Sequence, residues 1–298
     1  MSKAPRKSAA SKTTPSKPLA FWRAAILATL DAGIAALDDG ALPVARRIQK
    51  ARQTTKTARA LLRLAPKALA PRALGTRMVL GSARRLLSQS RDTDALVEAF
   101  EAIRPKARLS KPQTRDLSTL LAQRRSAIHA TLDADLTRAL ALFRQGREQV
   151  KRYGLEDGSE KSLGKGISRD FLKLREDMRA AFAGDDIEAL HDLRKRVIVH
   201  RHHAAYLAAL SGAEFWAKRA EQARALHEAL GNHRDLALLD DLLRPQQNPK
   251  LTPAIAKVLR AIELGQDDLL DDASRHAAKL EKVGRAKLRR KIETALTP

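Results

Sequence analysis

Between Gly40 and Arg91 the chain carries thirteen lysines and arginines and no aspartate or glutamate. An ordinary solvated helix face mixes signs, because opposite charges at i,i+4 stabilise it and like charges cost a few tenths of a kcal/mol per pair. Placed on a helix at about 100° per residue, Gln49, Arg52, Lys56, Arg59 and Arg63 form one stripe, spaced three and four apart. Ile48, Ala51, Thr55, Ala58 and Leu62 fall on the opposite side and can face a core. The pattern predicts a helix with one packed face and one cationic face whose counter-charge comes from outside the chain.

The composition agrees with helices throughout. Hydrophobic residues make up 44% of the 298 positions, mostly alanine and leucine, and aromatics only 3%. Alanine and leucine favour helices, whereas the residues that strands favour are scarce. The formal net charge of +23 implies a polyanionic partner. Arginine predominates in the stripe, and its planar fork binds phosphate oxygens two at a time. The shortage of aromatics argues against stacking of single-stranded bases. The chain has no cysteine, which excludes disulfides and thiolate metal sites. Residues 1–18 contain five basic residues, three prolines and no acid, and read as a disordered basic tail. Leu19–Leu37 is apolar, but Arg23 and Asp31 interrupt it. It reads as an amphipathic first helix rather than a signal segment, and no uncharged run is long enough to span a membrane.

Glycine, proline and serine place breaks at Asp38–Gly40, Pro66–Pro71, Ser88–Arg91, Arg104–Pro112, Gly184–Asp186, Ser211–Gly212, Gly231–Asn232 and Arg244–Pro253. The glycine-rich stretch 153–166 reads as a linker between two halves, 19–152 and 167–298. These halves resemble each other. His191, Arg194 and Arg201 lie 142 positions after Gln49, Arg52 and Arg59, and "LGNHRD" at 230–235 matches "LSQSRD" at 87–92. Each half is expected to end in a long helix, roughly 113–150 and 253–296. In the second stripe Lys195 and His202 stand at the edge, and Ile198 replaces a basic residue.

The segment 191–203, "HDLRKRVIVHRHH", holds four of the eight histidines. Their spacing does not match a helical metal motif, and neighbouring arginines repel a cation. No nucleophile or paired carboxylates accompany His191. Buried, hydrogen-bonded histidines are the plainer reading for some of them, His129 included. Asp92 and Asp235 are expected to cap the helices that follow their breaks.

"LHDLRKRVIVHR" (190–201) followed by "LGNHRDLALLDDLL" (230–243) resembles the signature segments of the CHAD family, the conserved-histidine α-helical domains. "ARQTTKTARALLRL" (51–64) and "ARRLLSQSRDTDAL" (83–96) resemble the family's other repeat. The resemblance implies an all-α fold over 19–298. Two repeated four-helix-type bundles would be related by pseudo-two-fold symmetry around a basic central pore. It implies binding of inorganic polyphosphate, with phosphate or sulfate able to take its place, and association with polyphosphate granules in the cytoplasm. The implied ligands are Arg52, Lys56, Arg59, Arg63 and Arg91 in the first half. In the second they are His191, Arg194, Lys195, Arg201 and Arg234, with His202 beside them. Gln49 stands where a histidine is usual. The attached triphosphate-tunnel signature of some relatives is absent, so no enzyme activity and no cofactor are expected. His191 is expected to strengthen binding when protonated, near or below its reference pKa of about 6.5. The competing readings are a nucleoid- or RNA-associated architectural protein, whose basic tail would touch nucleic acid, and a polyphosphate-processing enzyme.

Overall fold

In the computed structural model the described residues are 17–126, 132–155, 160–184, 186–246 and 248–297, with the side chains of 89–92, 125, 126, 132 and 160 outside that description. They form an all-α fold, with no strand among them. The helices are α1 (Lys17–Asp38), α2 (Val44–Leu62), α3 (Ala70–Leu86), α4 (Ser88–Ala107), α5 (Lys111–Ser126), α6 (Leu132–Lys151), α7 (Glu160–Ala181), α8 (Ile187–Ser211), α9 (Glu214–Leu243), α10 (Thr252–Glu281) and α11 (Arg285–Leu296).

Helices α1, α2, α3 and α6 pack around one another in a closed ring of neighbours. Their core holds Trp22, Ile26, Leu30, Leu80 and Phe143, and it continues into the start of α7, the end of α8 and α11. A second core joins α7, α8, α9 and α10 through Leu174, Leu193, Leu226 and Ala277. A third joins α4 and α5 to the far ends of α9 and α10 through Phe100, Leu117, Leu239 and Val258. Helix α1 is long and apolar enough to cross a membrane by length and composition alone. Here Leu19, Trp22, Ile26 and Leu30 of that helix are fully buried in the protein core.

Local chemistry explains most boundaries. Asp186 caps α8 by accepting from the Glu188 amide at 2.9 Å. Gly212 ends α8 at φ 66°, and its amide donates to the Ala208 carbonyl at 2.8 Å. Several sequence expectations fail. Helix α9 runs unbroken through Gly231 and Asn232, because both its ends are held in core clusters. Asp235 therefore lies inside α9 and caps nothing, and Asp92 lies within α4, which already begins at Ser88. The stretch 253–296 is two helices, parted at Lys282–Gly284. The expected linker 153–166 is helical from Glu160, and Gly164 and Gly166 face Leu296 and Leu64. At the other end α1 already includes Lys17 and Pro18, and the Pro18 carbonyl accepts from the Tyr206 hydroxyl at 2.8 Å. Residues 1–16 and His129 lie outside the described residues.

Gly33 sets the closeness of α1, α2 and α6. A Cβ there would collide with the Phe143 ring and stand 2.7 Å from Thr54 Oγ1. Overpacking of this kind costs about 1–3 kcal/mol, against about 1 kcal/mol gained in helix propensity. We expect Gly33→Ala to lose about 1–2 kcal/mol in urea denaturation. Gly40→Ala, which meets nothing within 4 Å, should be neutral or slightly stabilising.

Candidate functional site

Helix α2 turns the sequence pattern into geometry. Ile48, Ala51, Thr55, Ala58 and Leu62 are buried, while Arg52, Lys56, Arg59 and Arg63 are half-buried along its other side. Gln49 is exposed and accepts from Arg46 Nη1 at 3.0 Å. The free carbonyls at the end of α2 are taken by its neighbours. His203 Nε2 lies 2.9 Å from the Ala60 carbonyl, and Trp22 Nε1 donates to the Leu61 carbonyl at 2.8 Å. These bonds fix α2 against α1 and α8 without using its cations.

The stripe reaches two clusters. The first surrounds Arg59, where burial and the guanidiniums of Arg84, Arg77, Arg63 and Arg85 lower its pKa. Arg59 Nε and Arg77 Nε are both buried with no hydrogen-bond partner. Gly81 makes room for the crowd: its missing Cβ would lie 3.8 Å from Arg59 Nη1 and 3.8 Å from Arg85 Nη1. A depression of about 410 Å3 opens here, lined by Arg59, Arg77, Arg85 and Ser82 with Leu74 and Met78 at its lip. The nearby carboxylate is Asp170 of α7, 5% exposed, with Arg63 Nε at 3.8 Å, Arg196 Nη1 at 4.0 Å and His203 Nδ1 at 3.7 Å.

The second cluster joins α2 to α8 and α9. His202 and His227 are each pushed down to about 3, mainly by burial. Arg201 and Lys56 add to that shift in both, and Arg194 adds to it in His227. Both rings are therefore neutral at neutral pH. His202 Nδ1 meets the Thr57 hydroxyl at 3.3 Å, while His202 Nε2 and His227 Nδ1 are buried without a partner. The line continues to His191, whose pKa is lowered by burial and then by Lys195, Arg234 and Arg194. In the free protein His191 therefore titrates below its reference value, on the lower side of the expected range. Lys195 is exposed and pairs with Asp192 at 2.9 Å.

The structure thus brings Lys56, Arg194, Arg201 and His202 together, with His191, Lys195 and Arg234 adjoining and Arg59 and Arg63 one and two turns further along α2. Arg52 Nη1 donates to the Leu87 carbonyl at 3.0 Å, where α3 gives way to α4. The Arg91 side chain lies outside the described residues. Sequence reasoning missed Arg77, Arg84, Arg85 and His227. The two remaining histidines of the signature segment are core groups. His200 Nε2 accepts from Arg219 Nε at 2.8 Å, and His203 holds the end of α2.

The neutral histidines couple stability to pH. Both folded pKa values lie below the unfolded value of about 6.5, so the unfolded chain binds more protons between about pH 6.5 and 3. Stability is full above that window and falls as pH drops through it. Two such groups imply a loss of about 3 kcal/mol per pH unit near pH 5. Urea denaturation at pH 7, 6 and 5 checks this, and His202→Gln plus His227→Gln should flatten the slope.

A sequence model of the CHAD domain matches residues 24–244. No curated protein matches. Among solved structures, PptA from Streptomyces chartreusis superposes with a TM-score of 0.66 at 13% identity, covering 88% of this chain and 99% of that one. The CHAD domain from the plant Ricinus communis superposes with a TM-score of 0.51 at 19% identity, covering 98% of this chain and 97% of that one. Those identities speak for the fold alone, whereas the family match spans most of the chain, and this protein belongs to the CHAD domain family.

Proposed function

We propose that this protein binds inorganic polyphosphate and does not process it. The observation that carries the reading is the crowd of four guanidiniums about Arg59, continued through Lys56, Arg201, Arg194 and the neutral rings of His202 and His227. Cations are held together at a cost, with buried donors left without partners, and Asp170 supplies little counter-charge. A chain of phosphates answers both deficits. Arginine takes its oxygens two at a time, neutral imidazole donates a single N–H, and counterions are released on binding. A duplex answers them less well, since half-buried guanidiniums reach a thin flexible chain more easily than a wide convex cylinder. The reading is non-enzymatic because the clustered groups are cations and neutral imidazoles, with no nucleophile and no paired carboxylates among them.

The same proposal takes the halves 19–152 and 167–298 as copies of one unit, related by a pseudo-two-fold axis passing between α2 and α8. Its support is that these two helices carry the two stripes and pack against each other. It takes the basic line as the wall of a central pore and places the protein on cytoplasmic polyphosphate granules.

Long-chain polyphosphate should outcompete duplex DNA at equal phosphate concentration and physiological salt. Equal competition would favour the nucleic-acid reading, with the basic tail as its contact.

Position should matter beyond net charge. Arg59→Glu plus Arg201→Glu and Lys3→Glu plus Lys12→Glu each change the charge by the same amount. The first pair also removes two bidentate contacts, each charged hydrogen bond being worth about 1.5–3 kcal/mol. Its affinity for polyphosphate should fall at least about a hundredfold, and that of the tail pair only about severalfold, fading with salt. Circular dichroism controls for folding. Equal weakening of both at physiological salt would reduce the site to a diffuse basic surface.

A further inference from the structure

The outer face of α3 carries apolar residues that no other helix covers. Ala70, Pro71, Leu74, Gly75 and Met78 are all exposed, and helical spacing puts them on one side of α3. Leu74 is 51% exposed and Met78 66%, one turn apart. The other exposed large hydrophobics among the described residues, Ile187 and Leu264, lie on α8 and α10. Single exposed hydrophobics are ordinary, but a continuous stripe calls for a partner. A Cβ on Gly75 would meet nothing within 4 Å, so no groove wall stands beside the stripe there. Cations frame it. Arg77 and Arg84 fall along one edge and Arg72 along the other, with Lys67 before its start and Arg85 beyond its end. The chain has no acid between Gly40 and Arg91 to balance them. On the neighbouring α6, Glu148 is already paired with Arg147 and Lys151. Arg77 Nε is buried with no hydrogen-bond partner.

An occupant must therefore offer anions on both sides of an apolar middle. Polyphosphate and nucleic acid meet the cations and leave the stripe in water. A second copy brings its own arginines against these. The chain's own tail fails on charge, with five basic residues and no acid in residues 1–18. An anionic bilayer has the required layout, because headgroup phosphates surround any point where apolar side chains enter the acyl boundary. Guanidiniums take those phosphate oxygens two at a time, and the apolar side chains leave water.

We propose that the outer face of α3 docks the protein on an anionic lipid surface, with Leu74 and Met78 entering the acyl boundary and Arg72, Arg77 and Arg85 on the headgroup phosphates. Phosphate chains have no use for the apolar stripe, so this docking and polyphosphate binding are tested separately. The full chain should sediment with mixed phosphatidylglycerol–phosphatidylcholine vesicles at physiological salt, and not with phosphatidylcholine alone. Leu74→Ser plus Met78→Ser changes no charge and should weaken that binding at least about tenfold. Ile187→Ser plus Leu264→Ser removes as many exposed hydrophobics elsewhere and should leave it unchanged. Both pairs should keep their polyphosphate affinity. Met78→Trp gives a second readout: its emission should shift to the blue when the anionic vesicles are added, over a constant background from the buried Trp22 and Trp216. Absence of vesicle binding overturns the proposal. Undiminished binding by the folded Leu74 and Met78 pair, or an equal loss in the control pair, also overturns it, by reducing the attraction to net charge. So does a blue shift that grows with protein concentration without lipid, which would make the face a contact between copies.

Discussion

Asp170 is the one buried carboxylate among the described residues, and two helices bring basic groups to it. It stands on α7, within 4.0 Å of Arg63 on α2 and of Arg196 and His203 on α8. A buried charge is tolerated when opposite charge surrounds it, and removing it would strand the cations it faces. The arrangement fixes where α2 lies: its end is held by Asp170 through Arg63, by His203 through the Ala60 carbonyl and by Trp22 through the Leu61 carbonyl. With that end fixed, the rest of the stripe has no choice of direction. Lys56 must meet α8 and α9, and Arg59 must meet α3. One carboxylate is enough to place the helix and too little to neutralise it.

The histidines divide by helical period, which answers what a single helix needs with four of them. His200 and His203, three residues apart, share the buried side of α8 and serve as hydrogen-bonding core groups. His200 is the acceptor that lets Arg219 sit 2% exposed over the Phe171 ring, at 4.9 Å. Its lone pair is available only while the ring is neutral, and burial keeps it so. His202 points the other way, and burial, reinforced by the cations around it, keeps it neutral too. His191 lies further along the line. In the proposed polyphosphate complex the rings of His202 and His227 would meet the chain as neutral N–H donors.

How much of this was legible depends on range. The α2 face was readable because helical spacing and charge coincide over four turns, and the signature segments marked α8 and α9 for the family. The acid-free run contained Arg77, Arg84 and Arg85 as well. Nothing in their spacing says that α3 turns them toward Arg59, since that follows from Gly81 and from how α3 lies on α2. His227 carries no local motif; its place comes from α9 packing on α8, which brings it within reach of the charge of Lys56 on α2. Gly231 misled in the opposite direction. Glycine usually marks a helix end, yet inside α9 it gives space to the Arg194 side chain, whose Nη2 would lie 3.5 Å from a Cβ there. Tertiary packing at both ends of α9 outweighs the local propensity cost of about 1 kcal/mol.

The lowered pKa of Arg59 is the clearest measure of what the fold gives up. Burial and four neighbouring arginines make a field hostile to positive charge around a guanidinium that nevertheless stays protonated. The free energy stored in the repulsion is missing from the stability of the unliganded chain. An anion that binds the folded form and not the unfolded one returns it, so affinity and stability are two readings of one strain. Surface ion pairs could have relieved that strain cheaply. The acid-free run from Gly40 to Arg91 denies them over the helices that matter, and the acids of α10, such as Asp268 and Asp272, pair instead with Lys106 and Arg275 on another face. On the proposed reading, this segregation of charge leaves the counter-charge to be supplied by the polyphosphate chain.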